Sequence, residues 1–148
     1  MNLKIEKGIT LVALVITVIL MMLLAGVTVH FSGDVVKKTK LEDIKTNMIS
    51  IKTRAKIIAE QYNFNDIDSL VGSQITETEA TELDLKEQWE ENKDRILKWS
   101  SSDLQGQNLG SIEGDRYIVF YDLENVNCEV YYIEGYEGHY SLTELQGL

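Results

Sequence analysis

The sequence predicts an α+β protein. A long N-terminal helix, half of it of membrane length and half an amphipathic stem, packs against a small head with a second helix and a C-terminal β-hairpin. Three observations predict this. An uncharged apolar run fills 9–29, apolar residues at alternating spacings of three and four follow from Leu41 to Tyr62, and two β-rich runs flank a polar turn near the C-terminus. No proline occurs among the 148 residues. Four segments result: 1–8 a leader, 9–33 a transmembrane or core helix, 34–62 the stem, and 63–148 a small acidic head.

Composition removes several function classes. With 14 Lys+Arg against 24 Asp+Glu the formal net charge is -10, unsuited to replacing the counterions of nucleic acid. The single cysteine, Cys128, excludes an intrachain disulfide and a CxxC site. The two histidines, His30 and His139, are far apart in sequence, so a His-based metal site or triad has little to build on. No P-loop and no GxSxG occurs. No catalytic, metal-ligating or cofactor-binding residue stands out, no cofactor is expected, and the chain does not read as an enzyme.

From Gly8 to Gly33 there is no charged residue, and Ile9–Val29 is 21 residues interrupted only by Thr10, Thr17, Gly26 and Thr28. As helix this run measures roughly 32 Å, against a hydrocarbon core of ~30 Å. A cleaved secretory signal has a shorter apolar core and a small-x-small cut site. A lipoprotein signal needs Cys after Leu24-Ala25-Gly26, where Val27 stands. A plain signal anchor stays open on hydropathy alone.

The flank is more specific. Met1-Asn2-Leu3-Lys4-Ile5-Glu6-Lys7-Gly8 precedes Ile9-Thr10-Leu11-Val12. This basic leader, ending in Lys7-Gly8 directly before the apolar helix, resembles the prepilin and pseudopilin signal of the type IV pilin-like family, in its Gram-positive form. The resemblance covers roughly residues 1–62. It implies cleavage after Gly8 by a prepilin peptidase, N-methylation of Ile9, and retention of the apolar helix as a filament core packed through Leu11, Val12, Ala13, Leu14, Ile16 and Leu20. Where the family usually has Glu, at the fifth mature position, this chain has Ala13, and His30 stands at a common proline position. Positive-inside counting, with Lys37, Lys38 and Lys40 beyond the run, favours the opposite topology; the leader, which the peptidase cuts on the cytoplasmic side, overrides it.

Past the apolar run, Leu41, Ile44, Met48, Ile51, Ala55, Ile58 and Tyr62 form a heptad-like seam. With no proline from Ile9 to Tyr62, one helix of 54 residues, roughly 80 Å, is expected. The seam packs either on the protein's own head or in a parallel coiled coil. Val35–Lys56 carries seven basic and two acidic residues, whereas 57–148 carries five basic and twenty acidic. The division reads either as two solvated surfaces or as attraction of basic stem to acidic head between subunits, with the juxtamembrane lysines also near anionic lipid.

In the head, Asn63–Asp68 ends the stem. A helix is expected from about Glu82 to Trp99, with Leu85, Trp89, Ile96 and Trp99 on one face. Ser101-Ser102-Asp103-Leu104 reads as a capped turn. Tyr117–Tyr121 and Cys128–Ile133 form the hairpin. Six of the seven tyrosines lie between Tyr117 and Tyr140, as half-buried strand residues or as an adhesive patch. Asp122, Glu124, Asn125 and Asn127 form an ordinary polar turn or an oxygen-ligand calcium loop. Cys128 reads as a buried small hydrophobe, and His139 has no partner nearby in sequence.

Taken with the resemblance, these features lead to a structural subunit of a type IV pilus-like or type II secretion-like filament. It is inserted in the cell membrane with its N-terminus cytoplasmic and its head outside. The implied partners are further copies and related pilin-like subunits, a prepilin peptidase, a membrane platform protein with an assembly ATPase, and membrane lipid before assembly. The alternative is a non-polymerising single-pass membrane protein with an extracellular binding head.

Overall fold

The computed structural model describes the backbone of residues 2–148 and the side chains of residue 8, of 10–24 and of 37–148. In chain order the elements are α1 (Asn2–Asn63), β1 (Ser73–Gln74), α2 (Glu77–Glu82), α3 (Lys86–Glu91), β2 (Ile96–Lys98), α4 (Ser101–Gly106), β3 (Tyr117–Asp122), β4 (Asn127–Tyr136), β5 (His139–Ser141) and α5 (Leu142–Gln146). The chain divides into two compact units, Met1–Lys40 and Leu41–Leu148.

In the first unit every described side chain from Thr10 to Leu24 is exposed. Thr17 donates its hydroxyl to the Ala13 carbonyl at 2.7 Å. That bond satisfies the polar group within the helix's own ladder, as Ser and Thr do in apolar helices.

The second unit is layered about a five-stranded antiparallel meander in the order β1-β2-β3-β4-β5. Strand alternation sends Leu97, Trp99, Tyr117, Val119, Tyr121, Cys128, Val130 and Tyr132 to one face. There they meet Ile44, Met48, Ile51, Ala55, Ile58 and Ala59 of α1, with Leu104 of α4 and Leu142 and Leu145 of α5. The opposite face carries Ile96 and Ile118, covered by Ile75, Ala80, Leu83 and Leu85, with Trp89, Phe120 and Tyr131 half-buried around them. Because both faces are covered, β3 reads apolar at nearly every position instead of alternating.

The register runs from Tyr117 opposite Tyr132 to Asp122 opposite Asn127. Capping boxes start α2, where Thr76 and Glu79 bond reciprocally, and α4, where Ser100 and Asp103 do. Gly72, at φ +120, lies where a Cβ would meet Leu97 Cβ at 2.6 Å, so its place beside β2 admits only glycine.

The expected fold class needs correction. Among the described residues no helix is long and apolar enough to cross a membrane. Nor does one long N-terminal helix pack on a head. Of α1, whose backbone is helical from Asn2 to Asn63, only the part from Leu41 onward shares the core of the second unit among the described residues.

The expected second helix over 82–99 is two short helices and a strand. Asp84 takes a left-handed φ of 57, which ends the first turn of helix there. The chain leaves α3 at Asn92 and becomes β2 at Ile96. Ile96 and Trp99 then serve opposite faces of the sheet, so the i, i+11, i+14 coincidence did not mark a helix. The hairpin is two strands of five, and its partners β1 and β2 are too short to show a period.

Met48 and Ile51 are both 0% exposed, whereas Ile49 is 46% exposed. Met48→Ala or Ile51→Ala is expected to lower the unfolding free energy of the full chain by about 2–5 kcal/mol, and Ile49→Ala by about 0.5 kcal/mol or less. Denaturant unfolding in detergent solution checks the contrast.

Glu79 contributes a pH dependence. Burial alone raises its carboxyl, but the Lys98 ammonium at 3.0 Å and the Thr76 cap hold it net below its ordinary 4.5. A carboxyl lowered by folding stabilises above its unfolded value and loses that contribution as pH falls through the folded one. Glu79→Gln keeps a capping partner and is expected to flatten the acid limb of the stability profile as pH falls below the ordinary 4.5. An unchanged acid limb in circular dichroism unfolding would refute this.

Candidate functional site

The residues singled out in the sequence fall into an exposed group and a buried group. Gly8 is exposed, and a Cβ built there meets nothing within 4 Å. The backbone is therefore open to close approach at the expected cleavage point. The side chains of Lys7 and Ile9 lie outside the described residues, as do those of 25–36, including His30.

Leu11, Val12, Ala13, Leu14, Ile16 and Leu20 are all exposed. With their neighbours they make an unbroken set of large apolar side chains, from 42% exposed at Val18 to 69% at Met22. At ~3.6 residues per turn these positions point to every side of the helix. A helix apolar all round belongs in an apolar surrounding.

The stem seam behaves in the opposite way. Ile44, Met48, Ile51 and Ile58 are buried in the core of the second unit, and Leu41 is half-buried against it. The coiled-coil reading of these residues is therefore replaced by packing on the sheet.

The tyrosines differ in burial. Tyr117, Tyr121 and Tyr132 are buried, and Tyr131, Tyr136 and Tyr140 are half-buried. Trp99 Nε1 donates to Tyr121 Oη at 3.1 Å, and that hydroxyl donates to the Val71 carbonyl at 2.8 Å. Asn47 Nδ2 donates to Tyr117 Oη at 3.3 Å, tying α1 to β3. Among the described residues every buried side-chain nitrogen and oxygen has a partner. Burial pushes the Tyr131 and Tyr132 hydroxyls up to about 12 and the Cys128 thiol up to about 11. A thiol so raised is a weak nucleophile at neutral pH.

The turn at Asp122 is closed on itself. Asn125 donates its backbone N–H to Asp122 Oδ1 at 3.3 Å and its side-chain Nδ2 to Oδ2 at 2.8 Å. These bonds hold the Asp122 carboxyl below the usual range. Among the described residues no group of three His, Cys, Asp or Glu is placed to hold a metal ion. His139 does have a partner five residues on, in α5: Glu144 Oε2 lies 3.8 Å from its Nδ1.

The five cations of the head are all engaged within it. Lys98 pairs with Glu79 at 3.0 Å, Lys86 with Glu77 at 3.4 Å, and Arg116 with Glu113 and Glu134. Lys93 lies 4.6 Å from the Trp89 ring centroid and Arg95 5.4 Å from that of Tyr62. The other acidic residues have no head cation left to pair with.

One feature went unseen in the sequence. A concavity of about 610 Å³ opens beside the end of the hairpin, with Phe120, Tyr131, Glu124, Glu129, Cys128 and Arg95 among its lining residues. It is assembled from β3, β4 and the loop before β2, so no contiguous motif announces it. Comparison with family models, with curated proteins and with solved structures finds no match to this chain.

The apolar surface of 11–24 is expected to govern how the chain partitions. Replacing Leu14, Val18 and Met21 together by Gln removes large exposed apolar groups, each worth roughly 1.5–3 kcal/mol when fully buried. The full chain should then move substantially toward the aqueous phase in detergent phase separation. Equal partitioning of the two proteins would show that this surface is not in control.

Proposed function

We propose that the chain is a structural subunit of a type IV pilus-like or type II secretion-like filament. In this reading it is processed after Gly8 at the cell membrane and assembled by packing of the apolar helix surface that follows. The observation that carries the reading is the exposed set Leu11–Leu24 immediately behind Lys7-Gly8. Twelve large apolar side chains stand exposed there. Burying them is worth on the order of 20 kcal/mol, more than the ~5–15 kcal/mol that holds a typical domain folded. Neighbouring copies in a filament supply the cover, with lipid in that role beforehand. The prepilin peptidase, a platform protein and an assembly ATPase are the machinery this reading requires.

Ala13 refines the proposal. A carboxylate at that place would cost on the order of 3 kcal/mol in an apolar surrounding and is tolerated only with a partner. Alanine removes both cost and pairing, so assembly rests on apolar packing alone.

The test is processing and its consequence. Co-expressed with a prepilin peptidase, the chain is expected to begin at N-methylated Ile9, read by intact mass and N-terminal sequencing. Gly8→Val should retain residues 1–8, and Ala13→Glu should not improve polymer yield. A chain that keeps its leader beside an active peptidase would sink the proposal and favour a membrane protein that does not polymerise.

A further inference from the structure

We infer that the concavity beside the end of the β3–β4 hairpin binds a neutral oligosaccharide. The site lies within the unit Leu41–Leu148. The register sets Phe120 opposite Glu129 and Asp122 opposite Asn127. Paired residues share a face and every second residue returns to it, so Phe120, Asp122, Asn127, Glu129 and Tyr131 lie on one face of the hairpin. All five line the concavity, joined by Asn92 and Arg95 from the chain between α3 and β2 and by Glu124 from the hairpin turn. Its volume of about 610 Å³ falls within the ~300–1,000 Å³ of ordinary ligand clefts and exceeds what a single ion fills.

Two of the lining side chains are aromatic. Phe120 and Tyr131 are half-buried, packed against the second core around Ile96 and Ile118. The core fixes each ring while part of it stays open to solvent. The polar groups beside them are of both kinds. Asn92, Asn127 and Arg95 offer N–H donors, and Asp122, Glu124 and Glu129 offer acceptors. Several are already held in position. Glu129 accepts the Thr143 hydroxyl at 2.6 Å and the Val130 N–H at 3.2 Å. Asp122 accepts Asn125 Nδ2 at 2.8 Å. Arg95 lies 5.4 Å from the Tyr62 ring centroid, a contact that steadies the guanidinium through its charge. Groups fixed in advance lose little further freedom when a ligand arrives.

Charge narrows the class of ligand. Arg95 lines the concavity, and Lys52 and Lys56 act electrostatically on Cys128, another of its lining residues. Against these three cations stand the three carboxylates of Asp122, Glu124 and Glu129. Neither sign dominates, so the site does not select an anion or a cation by net attraction. What it does select is a ligand with apolar faces for the two rings and with both donors and acceptors around its edge. A pyranose has that form. Its C–H groups lie against an aromatic face, and its hydroxyls, each a donor and an acceptor, meet the amides and carboxylates. The volume suits several linked rings better than one. The inference goes beyond the filament reading and does not need it, since a single copy completes the site.

The experiment uses the full-length chain, leader in place, in a zwitterionic detergent that contains no sugar. Maltotriose, cellotriose and tri-N-acetylchitotriose are titrated in turn, followed by saturation transfer to the sugar protons and by ¹⁵N chemical shifts of the protein. At least one trisaccharide is expected to bind with millimolar or tighter affinity, to receive saturation at its ring C–H protons, and to shift the amides of 120–131 more than those of 44–59. Glu124→Ala with Asn127→Ala, both exposed positions, should weaken binding about tenfold, as should Tyr131→Ala, whereas Tyr131→Phe keeps the ring and should weaken it about threefold or less. Near-ultraviolet circular dichroism checks that the Tyr131→Ala chain is folded. Raising salt from ~50 to ~500 mM should change the affinity by less than about twofold, because screening acts on charged partners. Binding of none of the three sugars, binding that the Glu124 and Asn127 variant leaves intact, or binding lost with salt would overturn the inference. Tighter binding of spermidine or of inorganic phosphate than of every sugar would overturn it too, and would mark a site for a charged ligand.

Discussion

Met48, Ile51, Ala55 and Ala59 of α1 lie fully buried against the inner face of the sheet, and the rest of Leu41–Leu148 depends on that contact. A meander whose edge strands have two and three residues cannot hold itself together in water; it needs a helix laid across one face. Ala55 and Ala59 are small enough to bring the helix backbone close, and Met48 and Ile51 fill what remains. Asn47 and Asn63 fasten the same helix at two points, through Tyr117 Oη and the Leu123 carbonyl. The meander sets the length and register of the central strands, and the helix decides which of their faces becomes core.

What was legible in the sequence follows from this. The seam of α1 repeats over several turns, and β3 and β4 are long enough for strand composition to speak, so both could be read. Two-residue β1 and three-residue β2 carry no period, and β2 lies in a stretch whose apolar residues mimic a helical stripe. Asp84 and Val126, both at positive φ, are unusual choices there, and neither is announced by glycine. The second core, around Ile96 and Ile118, went unexpected because its cover comes from two short helices, α2 and α3, the second of which lies inside the single helix expected over 82–99. Of the candidate site, the apolar run and Gly8 were plain, whereas the groove draws its residues from three separate elements.

Charge is arranged by the same economy. The head has few cations and uses each one internally, on α2, on the Arg116 pairs or on aromatic rings. Lys52 and Lys56 of α1 form no ion pair among the described residues and lie near enough to the Cys128 thiol to act on it electrostatically. Exposed single pairs are worth little, about 0–1 kcal/mol. Their effect lies in selecting partner and orientation, with screening beyond ~8 Å at physiological salt.

The two units answer the hydrophobic effect in different ways, and the difference separates their roles. From Leu41 onward apolar residues occupy one side of a helix and alternate along strands, so a single copy can bury them. From Leu11 to Leu24 they occupy every side, and no arrangement within the described residues covers them. The second unit thus buries its own apolar residues, while among the described residues those of the first stay exposed. Ala13 and Thr17 fit that division: one contributes no charge, and the other turns its hydroxyl back on the Ala13 carbonyl, so neither resists transfer into apolar contact. Apolar packing of this kind is non-directional. It supplies adhesion but no register, so any ordered arrangement draws its direction from polar and shape-specific contacts and not from this surface.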